Sequence, residues 1–258
     1  GTHNTKYYNF PDLDYITNYR EINLDALSDL VEKYDLVIDC SGISGSKIKK
    51  SRISEIIEIN SLWPIKLANA CIKANTKLTW FSTIHCKNLL YSDECILRDN
   101  IYAISKKIAE DAILETSSWE EYITIIRLCN IIGSPGKFFN SNSDIFPIDI
   151  TKHLIKDGKA IIKSNPNNKI AYLEISKLLN SNLFEESGFY SISSTEEISL
   201  YYLAKSIKEV FYNITNKESQ IIFEGTILEN EYYVLKNETI KEIKQMVNFF
   251  LNKTNFKT

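Results

Sequence analysis

Three short apolar runs, separated by stretches with helical spacing, constrain this chain more than any other feature. Asp35-Leu-Val-Ile-Asp39, Leu78 to Phe81 and Tyr122 to Leu128 are too short for helices of ordinary length. Their density of apolar and β-branched residues reads as strands buried on both faces, the signature of a parallel sheet. Between them, Ile53 to Ala74 reads as one long helical stretch in which Pro64 marks a break or a fresh first turn. Ile101 to Leu114 reads as a second helix. Ahead of the first run, Leu24, Leu27, Leu30 and Val31 recur at helical intervals. Strand, helix, strand, helix, strand implies right-handed crossovers, and hence an α/β fold of the doubly wound, Rossmann type.

The pattern changes after Gly133. Ser134-Pro135-Gly136 is a loop, Asn165-Pro166-Asn167-Asn168 a turn, Phe189 to Ile192 a strand and Ser199 to Phe211 an amphipathic helix. The organisation expected is a Rossmann-type domain over 1–133 and a smaller substrate-binding part over 134–258. A strand near 188–193 returns from that part to the sheet. A chain of 258 residues has enough interior for such a core. Its net charge of −3 gives no electrostatic reason to expect a nucleic-acid partner. No apolar run is long enough to cross a membrane. The five cysteines are scattered without a C-x-x-C pair, which argues against a metal site or a disulfide framework and for a reducing, cytoplasmic setting.

In doubly wound sheets, ligands gather at the carboxyl ends of the strands. Three of those ends carry small or polar groups here: Ser41-Gly42, Ser82-Thr83 and Asn130. Tyr102 and Lys106 follow one helical turn apart, on one face of the next helix. An ammonium beside a phenol favours the phenolate and brings Tyr towards acid/base use near neutrality. The spacing alone decides nothing, because Tyr201…Lys205 and Tyr232…Lys236 repeat it. What sets Tyr102 apart is its place beside the strand ends.

With these residues in place, the chain resembles the extended short-chain dehydrogenase/reductase family, the NAD(P)-dependent epimerases, dehydratases and reductases that mostly modify nucleotide sugars. The likeness is carried by Asp35 to Gly42, Glu58-Ile-Asn60, Phe81-Ser-Thr-Ile-His85, Tyr102-Ala-Ile-Ser-Lys106 with Glu110, and Arg127-Leu-Cys-Asn130-Ile-Ile-Gly133. The resemblance implies that Tyr102 is the general acid/base, Lys106 tunes it and binds the nicotinamide ribose, and Thr83 holds the substrate oxygen. It places Asp14, Ser41, Gly42, Asn60 and Ser82 along an NAD or NADP cofactor, with His85 and Asn130 towards a nucleotide-sugar substrate. It also implies a homodimer paired through two helices, one of them carrying Tyr102. Asn9 stands about where an Asp would select NAD over NADP, so the choice between the two stays open.

The sequence departs from the family in two places. Ile84-His85 stands where 4,6-dehydratases carry an Asp-Glu pair, which argues against that reaction and leaves reductase or epimerase. No Gly-x-x-Gly-x-x-Gly turn occurs, although the family uses one to cradle the cofactor pyrophosphate at a helix N-terminus. Lys6 to Phe10 lines up as the second strand. Roughly 25 residues of strand, turn and helix are therefore expected to be missing from the sequence as it stands, the first strand of the sheet among them. The rival reading is a non-catalytic, NAD(P)-sensing or scaffold protein on the same fold.

Overall fold

A computed structural model of the chain describes residues 22–43, 53–90, 101–135, 145–193, 197–228 and 235–255. The Lys6–Phe10 strand, Asp14 and the turn beyond Ile43 lie outside those residues. In chain order the elements are α1 (Leu24–Val31), β1 (Leu36–Asp39), α2 (Ile53–Ile57), a π-helical turn Glu58–Leu62, α3 (Trp63–Lys73), β2 (Lys77–Thr83) and a 3-10 turn Ile84–Leu90. Next come α4 (Ile101–Leu114), α5 (Trp119–Tyr122), β3 (Ile123–Leu128), β4 (Asn130–Ile132), α6 (Phe146–Asp157), β5 (Lys159–Ile162) and β6 (Lys169–Glu174). The last are α7 (Ile175–Leu179), β7 (Gly188–Ile192), β8 (Glu197–Ser199), α8 (Leu200–Thr215), β9 (Gln220–Phe223) and α9 (Asn237–Asn255). The chain forms two compact units, one of 1–128 with 182–192 and the other of 129–181 with 193–258.

The first unit is built on a parallel sheet of order β1-β2-β3-β7. β2 is longer than its apolar residues suggest, because its register with β3 continues to Ser82↔Arg127 and Thr83↔Leu128. Helices α1, α3 and α4 cover the sheet, closing a core of Leu27, Leu67, Cys71, Trp80, Ile113 and Ile125. Each aliphatic side chain so buried contributes about 1.5–3 kcal/mol. Asn23 caps α1 by accepting the Ala26 N–H at 2.8 Å, and Pro64 stands in the first turn of α3. β1 corrects one expectation. It is parallel, but Ile38 is 49% exposed, and β1 pairs only with β2 among the described residues.

The long helical stretch is not uniform. Over Glu58–Leu62 the winding widens, and the Trp63 N–H reaches back to the Glu58 carbonyl. Widened turns of this kind are rare and concentrate at functional sites. Here it brings two consecutive polar residues, Asn60 and Ser61, to full burial.

The second unit holds the sheet β4-β6-β8 and the parallel pair β5-β9, packed with α6, α8 and α9 around Leu154, Leu203, Ile207, Ile243 and Met246. Ser199 caps α8, and Gly158 closes α6 in the left-handed conformation at φ 63°. After β4 the backbone passes so close to α7 that a Cβ on Gly133 would overlap the Ile175 methyl and lie 2.8 Å from Glu242 Oε2. Gly133→Ala is therefore expected to lower stability by about 1–3 kcal/mol through overpacking. An unchanged urea midpoint would show that the loop yields freely.

Candidate active site

The carboxyl ends of β1 and β2 and the first turns of α4 meet in the first unit. The sheet register sets Asp39 beside Trp80, and Lys106 lies with its Nζ 4.8 Å from the centroid of that Trp80 ring. The ammonium donates to the Phe81 carbonyl at 2.9 Å and to the Ser41 carbonyl at 3.4 Å. Gly42 lies beside it, and a Cβ there would stand 3.5 Å from Nζ, an ordinary van der Waals distance. Lys106 is only 3% exposed, and burial lowers its pKa, with Asp39 the foremost charge opposing the change.

Tyr102 opens the same helix, next to Thr83. Its phenol is held above its ordinary value, first by burial and then by the Cys86 thiol, while a hydrogen bond with the Thr83 hydroxyl works the other way. The sequence suggested a phenol pulled down by Lys106. In the structure that ammonium is engaged by main-chain carbonyls, and burial decides the direction. Thr83 is itself buried and accepts the His85 N–H at 3.3 Å, while the His85 side chain is exposed.

Two residues assigned to the cofactor have their side chains occupied otherwise. Asn60 is fully buried, accepts the Ile43 N–H at 2.8 Å and donates to the Ile43 carbonyl at 2.9 Å and to Ser105 Oγ at 3.0 Å. Ser105 Oγ in turn donates to the Tyr102 carbonyl at 2.8 Å, and Ser61 Oγ to the Ser105 carbonyl at 2.7 Å. Asn60 is thus a clamp between the strand-end loop and the Tyr102 helix. Ser82 alternates with Thr83 along β2 and so points the other way. Its hydroxyl donates to Glu110 Oε1 at 2.5 Å. Glu110, with no exposed surface, receives Arg127 Nε at 2.8 Å and Nη2 at 2.5 Å, and the guanidinium lies 4.7 Å from the Phe189 ring centroid. This pair raises the pKa of Arg127 further.

Ser41, Gly42, Thr83, Tyr102 and Lys106 are therefore brought to one edge of the sheet. Asn130 begins β4 of the second unit and is exposed, and Asp14 lies outside the described residues. The sequence reading missed Ser61 and Ser105, whose hydroxyls are committed only by the fold. It also missed Asp39, which had passed for the end of an apolar run. Among the described residues no group of His, Cys, Asp and Glu is arranged to hold a metal ion, and no helix is long and apolar enough to cross a membrane.

This arrangement can hold a polarised oxygen between Thr83 and Tyr102, with a cation behind it. A family model described as the NAD dependent epimerase/dehydratase family matches residues 5–172. Among solved structures, UDP-N-acetylglucosamine 4-epimerase from Bacillus cereus is 18% identical, with a TM-score of 0.61 over 91% of this chain and 84% of that one. UDP-glucose-4-epimerase from Stenotrophomonas maltophila, with bound NAD and formylated UDP-arabinopyranose, is 10% identical, with a TM-score of 0.66 over 91% and 82%. RMD from Pseudomonas aeruginosa complexed with NADPH is 16% identical, with a TM-score of 0.61 over 90% and 86%. No curated protein matches the chain in sequence.

Proposed function

As the chain belongs to the NAD dependent epimerase/dehydratase family, we propose that it is an NAD(P)-dependent reductase or epimerase acting on a nucleotide-linked sugar. The observation that carries this reading is the meeting of Thr83, Tyr102 and Lys106 beside Gly42 at the carboxyl edge of the sheet. The residues present fit the nicotinamide-ribose end of the cofactor. Gly42 lies beside Lys106 Nζ, and the buried Ser41 hydroxyl has no hydrogen-bond partner among the described residues. Lys106, Ser41 and Gly42 would hold that end, and when bound the group would supply or take up a hydride.

Thr83 orients the sugar oxygen by hydrogen bonding, and His85 follows it in the chain towards the remainder of the nucleotide sugar. In a reductase, Tyr102 gives its phenolic proton to the carbonyl oxygen and is left as phenolate. In an epimerase, Tyr102 first removes the hydroxyl proton and later returns it. Ile108 on α4 and Leu62 are exposed apolar residues suited to the pairing of two copies.

Dinucleotide binding tests the cofactor site that this reading requires. NADH and NADPH titrated against the protein by calorimetry are expected to give saturable binding to at least one of them, weakened at least about tenfold in Lys106→Ala, a difference of about 1.4 kcal/mol. Absence of saturable binding by both dinucleotides rejects the enzyme reading in favour of the scaffold.

A further inference from the structure

Asp39 is the acid that this chemistry leaves unused. It ends β1 at 6% exposure, and its Oδ1 accepts the Ser41 N–H at 2.8 Å. Oδ2 is buried with no hydrogen-bond partner. A carboxylate in that condition is costly unless a charge balances it. Two observations tie it to Lys106. Ser41 gives its N–H to Asp39 and its carbonyl to the Lys106 ammonium. Trp80, the register partner of Asp39, presents its ring to the same ammonium.

The titratable groups that act on Lys106 are Asp39 at the end of β1, the exposed Cys40 after it, Cys86 from the turn after β2, and Glu110 from its own helix. Glu110 is already committed to Arg127 and Ser82. Burial raises the thiol of Cys40 and pushes that of Cys86 up to about 11, so both are neutral near pH 7. Asp39 is the carboxyl that remains among the described residues.

We propose that Asp39 is a positioning residue, the anion that balances the Lys106 ammonium beneath the carboxyl edge of the sheet. Its part rests on the reading of Tyr102 and Lys106 given above. Burial raises the Asp39 carboxyl, while the Ser41 N–H hydrogen bond and the Lys106 charge oppose that rise. Burial likewise lowers Lys106 and Asp39 opposes it, so each charge works against the loss of the other.

The test uses lysine-labelled protein, with the Lys106 methylene signal assigned through its loss in Lys106→Arg. In Asp39→Asn, which keeps an acceptor for the Ser41 N–H, the pH at which Lys106 loses its proton is expected to fall by about one unit or more. An unchanged titration overturns the proposal. The reciprocal measurement needs no change at Asp39. In Lys106→Met the Asp39 carboxyl carbon should titrate at higher pH than in the unaltered protein, because the coupling acts equally on both partners. A carboxyl that titrates where it did before also overturns it. Neither reading needs cofactor or turnover, so failure of the charge pairing and failure of the catalytic assignment are told apart.

Discussion

Tyr102→Phe is expected to lower turnover of the nucleotide sugar by about 10²–10⁴-fold, the range for loss of a positioned general acid/base. The change removes one hydroxyl and leaves the ring in its packing beside Thr83 and Cys86, so dinucleotide binding and the melting temperature should stay near those of the parent protein. The sign of the pH dependence follows from the phenol, which burial holds above its ordinary value. In the reductive direction the acid form is the working one, so activity should be flat near neutrality and decline as pH rises through the phenol's pKa. That alkaline limb should vanish from the residual activity of Tyr102→Phe. A variant that turns over within a few-fold of the parent would remove Tyr102 from the chemistry, whatever the dinucleotide binding shows.

Arg127→Met is expected to cost about 3–5 kcal/mol of stability, the range for leaving one member of a buried ion pair without its partner. Glu110 has no exposed surface, and both of its oxygens receive the guanidinium. At about 2–4 °C per kcal/mol for a protein of this size, the melting temperature should fall by roughly 10 °C. Replacing both residues by apolar side chains, as in Glu110→Leu with Arg127→Met, should recover much of the loss, because the uncompensated charge disappears. The Ser82 hydroxyl then loses its acceptor, which sets a limit on the recovery. A single variant that melts with the parent would mean that water reaches Glu110.

Much of the first unit was legible because its strands are dense in apolar and β-branched residues, and because α4 spans Ile101–Leu114, where apolar spacing places it. What stayed hidden depends on partners distant in sequence. Nothing in Glu58-Ile-Asn-Ser-Leu62 announces a widened turn. Its Asn60 meets Ile43 and Ser105, which are 17 and 45 residues away. Asp39 looked like a strand terminator because its balancing charge comes from α4. Ser82 and Thr83 could not be assigned to opposite sides until the strand was known to run through both. The exposure of Ile38 was likewise unreadable, since an apolar run does not say which of its faces is covered.

The strand order of the first unit also fixes a schedule. β3 pairs with β7 from Thr124↔Gly188 to Leu128↔Ile192, so the sheet draws its last strand from beyond residues 129–181. During synthesis, the Ile-rich edge of β3 waits for the chain to be made through Ile192, about 3–13 s at about 5–20 residues per second. An unpaired apolar edge is a template for the wrong partner. A fragment ending at Leu128 would keep that edge open permanently, so the first unit cannot be produced as one continuous piece with its sheet complete.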